Sequence, residues 1–314
     1  MTMVRAGTRR IEISNEDKVL FPEDGITKGD LVTYYREIAA TMLPYLKGRP
    51  VMMQRFPDGI GRPGFYQKDV GRDMPEWIHR VTVKKAGGHV THVVCDDAAS
   101  LVYLANLACI TPHVWLSRAD KIDLPDQIVF DLDPSDDDFS IVRRAARDLR
   151  RLLEELGLPA FVKTTGSRGL HVVIPLVRHA KFDAARAFAR RVALVLVSRD
   201  PDHVTVEARK EKRKGRLLID VMRNAYAQTA VAAYAVRAKP GAPVSTPVTW
   251  DEIDSSRLTS DRYTLRNVLR LLARRPDPWA GMFRQARKLT EPARRLERLS
   301  GRTESSGLPV TGGR

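Results

Sequence analysis

The chain has 314 residues, 43% of them hydrophobic and 29% charged, which is a globular make-up and excludes a disordered chain. No run approaches the ~18 uninterrupted apolar residues of a membrane span. Lys and Arg number 53 against 38 Asp and Glu, a net charge of +15, which suits an anionic polymer as partner or, more simply, an Arg-rich surface.

Cys95 and Cys109 show no C-x-x-C spacing, and the opening MTMVRAGTRR has no apolar core. A reducing cytoplasmic location without membrane attachment is therefore expected. Apolar residues recur every three or four positions over 29–46 and predict a helix, with Asp30 as its N-cap. The Gly- and Pro-rich stretch 48–69 predicts short extended pieces. Within it Phe65 and Tyr66, beside Lys68, suit stacking on a base, or equally the filling of a core. HVTHVVC (89–95) reads as a strand, on which His89 and His92 face opposite sides, so these two and Cys95 do not predict a zinc site. Residues 98–109 read as a buried helix.

QIVFDLDPSDDD (127–138) is an apolar strand running into carboxylates, of which Asp136, Asp137 and Asp138 read as a solvated turn and helix start. An amphipathic helix follows over 141–157, then strand, turn and strand over 160–176, and a helix over 183–199. Residues 204–224 predict two strands joined by KEKRKGR (210–216), a solvated hairpin tip with phosphate contact also open. Residues 257–299 read as Arg-rich helix broken by Pro276, Pro278 and Pro292, and 300–314 as a disordered tail. The expected fold class is α+β. An RRM-like βαββαβ unit, mostly antiparallel and with helices on one face, lies within 127–250. It is joined by an N-terminal α/β subdomain (11–126) and C-terminal helices (251–299), all in one catalytic domain over 1–299.

Asp131 and Asp133 stand two apart at the end of an apolar strand, so both point to one face of the sheet while Leu132 points into the core. Asp220, ending the apolar LLID, can join them. Three converging carboxylates repel one another unless a hard divalent cation such as Mg²⁺ or Mn²⁺ lies between them, as in two-metal phosphoryl transfer. A bare D-x-D is equally a polar turn leaving a sheet. In TTGSRGLHV (164–172), Gly166 and Gly169 allow close backbone approach to an anion, and Ser167, Arg168 and His171 supply donors suited to a triphosphate. The alternative is an ordinary hairpin turn.

In order along the chain, FDLDP (130–134), TGSRGLHV (165–172) and LLIDVMRNAYAQTAVAAYAVRAKPGAPVSTPVTW (217–250) resemble the polymerase domain of bacterial DNA ligase D, of the archaeo-eukaryotic primase superfamily. NEDKVLFPEDGITKGDLVTYY (15–35) and GFYQKD (64–69) extend the resemblance over residues 11–295. It implies a primase-like, template-dependent nucleotidyltransferase that fills gaps and extends ends in non-homologous end joining, prefers ribonucleotides and works with Mn²⁺ or Mg²⁺. Its implied partners are gapped or broken DNA with a 5′-phosphate, nucleoside triphosphates, Ku and a separate DNA ligase, in a nucleoid-associated setting. The resemblance makes Asp131, Asp133 and Asp220 the metal ligands and Ser167, Arg168, Gly169 and His171 the triphosphate site. His113 and Arg237 then lie near the nucleotide and Arg213 beside the active site. Asn15, Lys18 and Lys28 form the 5′-phosphate pocket, and Phe65 and Tyr66 the template-stacking pair. QKD replaces an expected Q-K-His, AAY (232–234) an expected Ala-Pro-Tyr, and no K-x-D-G ligase motif occurs. A metal-dependent nuclease and a non-catalytic DNA-end-binding module are the competing readings.

Overall fold

The computed structural model describes residues 1–71, 74–85 and 87–305. A hairpin, β1 (Thr2–Ala6) and β2 (Arg9–Ile13), and the short pair β3 (Val19–Phe21) and β4 (Ile26–Thr27) lead into α1 (Lys28–Leu46). Thr27, not Asp30, caps this helix. The Thr27 hydroxyl accepts from the Asp30 amide and the Asp30 carboxylate accepts from the Thr27 amide, a reciprocal capping box. The apolar stripe of α1 is buried as its spacing predicts.

Next come β5 (Pro50–Arg55), β6 (Phe65–Gln67), β7 (Arg80–Lys85), β8 (Gly88–Val94), α2 (Ala98–Asn106) and β9 (Cys109–Trp115). Helix α2 stops short of the predicted end because Ala108 turns into the left-handed region, φ +55°, and sends Cys109 into a strand. Strand β9 is buried on both faces, so CITPHVW lacks the alternation that would announce it.

The second half supplies β10 (Gln127–Asp133), α3 (Phe139–Glu155), β11 (Phe161–Thr164), β12 (Leu170–Pro175), α4 (Phe182–Arg199), β13 (Val204–Thr205) and β14 (Leu217–Asp220). After them β15 (Thr229–Val231) pairs with β9, giving the first sheet the order β15-β9-β5-β8-β7 with β6 on β5. Strand β16 (Pro247–Val248) closes the second sheet, β13-β14-β10-β12-β11-β16, antiparallel except at β13–β14. The α+β expectation and the βαββαβ unit are both present. Ile128, Phe130 and Leu132 of β10 join the core beneath α3 and α4, and Val129 joins the other core, which contains the first sheet. Asp131 and Asp133 continue the Val129 side.

Three further expectations change. Strands β13 and β14 run parallel, so KEKRKGR is not a hairpin tip but a crossing loop with one 3₁₀ turn, and its Arg213 is buried rather than solvated. Between 257 and 289 the only α-helix is α6 (Val268–Leu272), after α5 (Trp250–Asp254), because Pro276, Pro278 and left-handed Gly281 interrupt the ladder. Helix α7 (Thr290–Ser305) carries the backbone through residues 300–305 of the expected tail, while 306–314 lie outside the described residues.

Candidate active site

The register of the second sheet assembles the site. Asp131 on β10 lies directly opposite Asp220 on β14 and opposite His171 on β12. Like charges so placed repel, and a raised pKa at Asp220 records it: burial first, then Asp131 and Asp133, push it up. Burial pushes Asp131 the same way, but His171, Arg223 and Lys163 outweigh it and hold that carboxyl at about 2. His171 Nε2 and Arg223 Nε both lie 3.5 Å from Asp131 Oδ2. Asp220 Oδ1 accepts from the Met222 amide at 2.7 Å. The two oxygens of Asp133 are held by Arg168 (2.9 Å) and Arg213 (3.0 Å).

Turn 165–169 closes one side of the resulting cavity of about 340 Å³, with His113 and Val231 from the first sheet opposite. Gly169 is required by packing rather than by an anion: a Cβ there would stand 1.8 Å from the Leu132 carbonyl oxygen. Gly166 holds φ +63°, and a Cβ on it would press to 2.7 Å of Arg237 Cγ, whose guanidinium donates to the Thr165 carbonyl at 2.7 Å. The Ser167 amide donates to Thr165 Oγ1 and Ser260 Oγ. Burial above all, then neighbouring cations, lowers His113 to about 3. Burial and Lys163, opposed by Asp131, lower His171 to about 4. Both imidazoles are therefore neutral at pH 7. Both nitrogens of His113, and Nδ1 of His171, are buried without a hydrogen-bond partner.

Asp131, Asp133, Asp220, His113, Ser167, Arg168, Gly169, His171, Arg213 and Arg237 thus line one cavity. Arg213, expected beside the active site, lies inside it. Arg223 is the residue that sequence reasoning missed; its signal is the position three residues after Asp220. Among the described residues no group of three His, Cys, Asp or Glu side chains is already gathered as a metal cage. The donors still fit a hard divalent cation: all are carboxylate oxygens, and two face each other across adjacent strands. His89 is exposed and His92 buried, on opposite faces as expected.

A second cluster sits where the β3–β4 pair begins and ends. The Lys28 amide donates to the Lys18 carbonyl at 2.8 Å, and the Asn15 carbonyl accepts from the Lys18 amide at 3.1 Å. Lys28 Nζ donates to Ser14 Oγ and to the Asn106 carbonyl, and burial, then the charge of Lys18, lowers its pKa. Lys18 Nζ pairs with exposed Asp58 at 2.7 Å. Phe65 and Tyr66 are 47% and 57% exposed, so neither fills the core. Tyr66 packs edge-on against His113, joining this outer strand to the cavity, and Lys68 lies exposed just beyond it.

A sheet that carries three carboxylates ringed by arginines on the face turned to the first sheet, with helices on its other face, suits a protein of the phosphoryl- and nucleotidyl-transferring class. Residues 27–279 match the family model of the LigD primase-polymerase domain. The chain is 34% identical to the multifunctional non-homologous end joining DNA repair protein LigD of Mycobacterium tuberculosis over 284 residues, 88% of this chain and 37% of that protein. It is 30% identical to the bifunctional non-homologous end joining protein LigD of Bacillus subtilis, over 88% of this chain and 44% of that one. The solved polymerase domain of Mycobacterium tuberculosis ligase D, in complex with DNA, superposes with a TM-score of 0.84 at 33% identity, covering 88% of this chain and 99% of that one. The chain belongs to the LigD primase-polymerase domain family, a family of nucleotidyltransferase-type polymerases. It spans less than half the length of these curated relatives.

Proposed function

We propose that this protein is a template-dependent, ribonucleotide-preferring nucleotidyltransferase that fills gaps and extends ends in double-strand-break repair by non-homologous end joining. The observation that carries the reading is the facing pair Asp131 and Asp220, inside a cavity whose other charged residues are Asp133 and the arginines 168, 213, 223 and 237. Mg²⁺ or Mn²⁺, held by Asp131, Asp133 and Asp220, would supply charge neutralisation and a lowered pKa at the attacking hydroxyl. Arg168 and Arg237, with the backbone of turn 165–169, bind and orient the triphosphate. Neutral His171 donates or accepts a hydrogen bond without adding charge. Phe65 and Tyr66 offer exposed rings to template bases.

Incubation with a labelled primer–template, Mn²⁺, and either ribo- or deoxyribonucleotides tests the reading by product length. Extension with ribonucleotides favoured is the expected result; shortened primer would mean a nuclease, and unchanged primer a binding module. Arg168→Ala and His171→Ala are each expected to raise the nucleotide KM or depress turnover by about 1–3 kcal/mol. Unchanged kinetics in both would make 165–169 an ordinary turn.

Lys18, Lys28 and Asn15 form the proposed pocket for a 5′-phosphate at a gap. Two ammonium groups on neighbouring backbone suit a terminal dianion better than an internal phosphodiester. Wild-type protein should bind a gapped duplex bearing a 5′-phosphate more tightly than one ending in a 5′-hydroxyl. The double variant Lys18→Ala, Lys28→Ala should erase the difference, and rising salt should shrink it. Equal wild-type affinity for the two duplexes at low salt would reject the pocket. Ku, a separate DNA ligase and a cytoplasmic, nucleoid-associated setting complete the proposal. Among the described residues no helix is long and apolar enough to cross a membrane.

A further inference from the structure

The register of the second sheet extends the catalytic row by one more residue. Asp220 faces Asp131, Asp131 faces His171, and His171 faces Lys163 in the middle of β11. Four titratable side chains thus lie in single file across four adjacent strands. Lys163 is only 3% exposed. Its Nζ donates to Ser245 Oγ at 2.5 Å, and the Ser245 hydroxyl donates in turn to the Thr164 carbonyl at 2.9 Å. Among the described residues no carboxylate forms an ion pair with it.

A buried lysine held by one hydroxyl is a costly way to fill space, since burial above all, then Arg237, pushes its pKa well below the ordinary lysine value, and an apolar side chain of the same length is generally tolerated better. The hydrogen bond to Ser245 has a mechanical consequence. Ser245 belongs to the segment folded back beside Arg237, through the Val236–Val244 bridge and the bonds between Ser245 and residues 234 and 235. The bond from Lys163 to Ser245 therefore joins β11, which leads into turn 165–169, to the segment that carries Arg237.

We propose that Lys163 is a positioning residue for the nucleotide: anchored by Ser245, it sets turn 165–169 against Arg237 so that the cavity accepts a triphosphate. The inference rests on the nucleotide site proposed above.

The test titrates a fluorescent adenosine triphosphate analogue into the full chain with Mg²⁺, alongside gapped-DNA affinity and thermal melting. Lys163→Met is expected to melt at the wild-type temperature or above and to hold DNA affinity within about twofold, while the nucleotide Kd rises about tenfold. Ser245→Ala, which keeps the lysine but frees its end, should raise the nucleotide Kd by a smaller factor with DNA affinity intact. Wild-type nucleotide affinity in Lys163→Met overturns the proposal. A parallel fall in melting temperature, DNA affinity and nucleotide affinity overturns it as well, since that marks a structural lysine. Should Lys163→Met not fold, wild-type nucleotide affinity in Ser245→Ala overturns it. A wild type that binds DNA but no nucleotide removes the underlying site, which is distinct from a wild type that binds nucleotide and a Lys163 variant that binds it equally well.

Discussion

Asp131→Ala and Asp133→Ala are each expected to lower nucleotide addition by on the order of a thousandfold in a primer-extension assay. Asp131 faces Asp220 from the next strand, and Asp133 stands two residues along on the same side, so either change removes one of three oxygen donors. The Asp131 variant should also melt somewhat below the wild type at pH 7, because it loses a carboxylate whose attraction to His171, Arg223 and Lys163 outweighs the cost of its burial. DNA affinity should largely persist, because the exposed basic surface is untouched. Asp136→Ala, in the exposed turn beyond the strand, serves as the comparison and should extend primers normally. Near-wild-type extension by either Asp131→Ala or Asp133→Ala would remove these carboxylates from the reaction.

Gly169→Ala is expected to cost about 3 kcal/mol or more in urea denaturation and to abolish activity with it. The new methyl would stand 1.8 Å from the Leu132 carbonyl oxygen and 3.0 Å from its carbon. Both are backbone atoms near the C-terminal end of β10, so no side-chain rotation clears the space. The clash can be relieved only by parting β10 from β12, and Leu132 lies between Asp131 and Asp133. Gly71→Ala is the control, because a Cβ there meets nothing within 4 Å among the described residues. A Gly169→Ala protein as stable as the control would show that the two strands have slack.

The parts of this molecule legible in the sequence are those written in local periodicity. Helix α1, the amphipathic α3 and the apolar strand ending in Asp131 and Asp133 each declare themselves within a dozen residues, because burial of one face requires a repeat of 3.6 or 2. The placement of Leu132 in the core, with a carboxylate on either side of it facing out, follows from that repeat alone. Strand β9 stayed hidden for the converse reason: buried on both faces, it has no alternation to read.

What tertiary structure alone decided is pairing. That Asp220 lies opposite Asp131, rather than elsewhere on the sheet, depends on β14 returning beside β10 after a crossing of the whole unit. Arg213 passed from an expected solvated tip to a buried partner of Asp133 because β13 and β14 run parallel, which forces the loop back across the sheet. The nearness of Lys163 to the catalytic row has the same origin. Composition and spacing determined which side chains this chain brings to chemistry; strand register, which no local pattern encodes, decided which of them share one cavity.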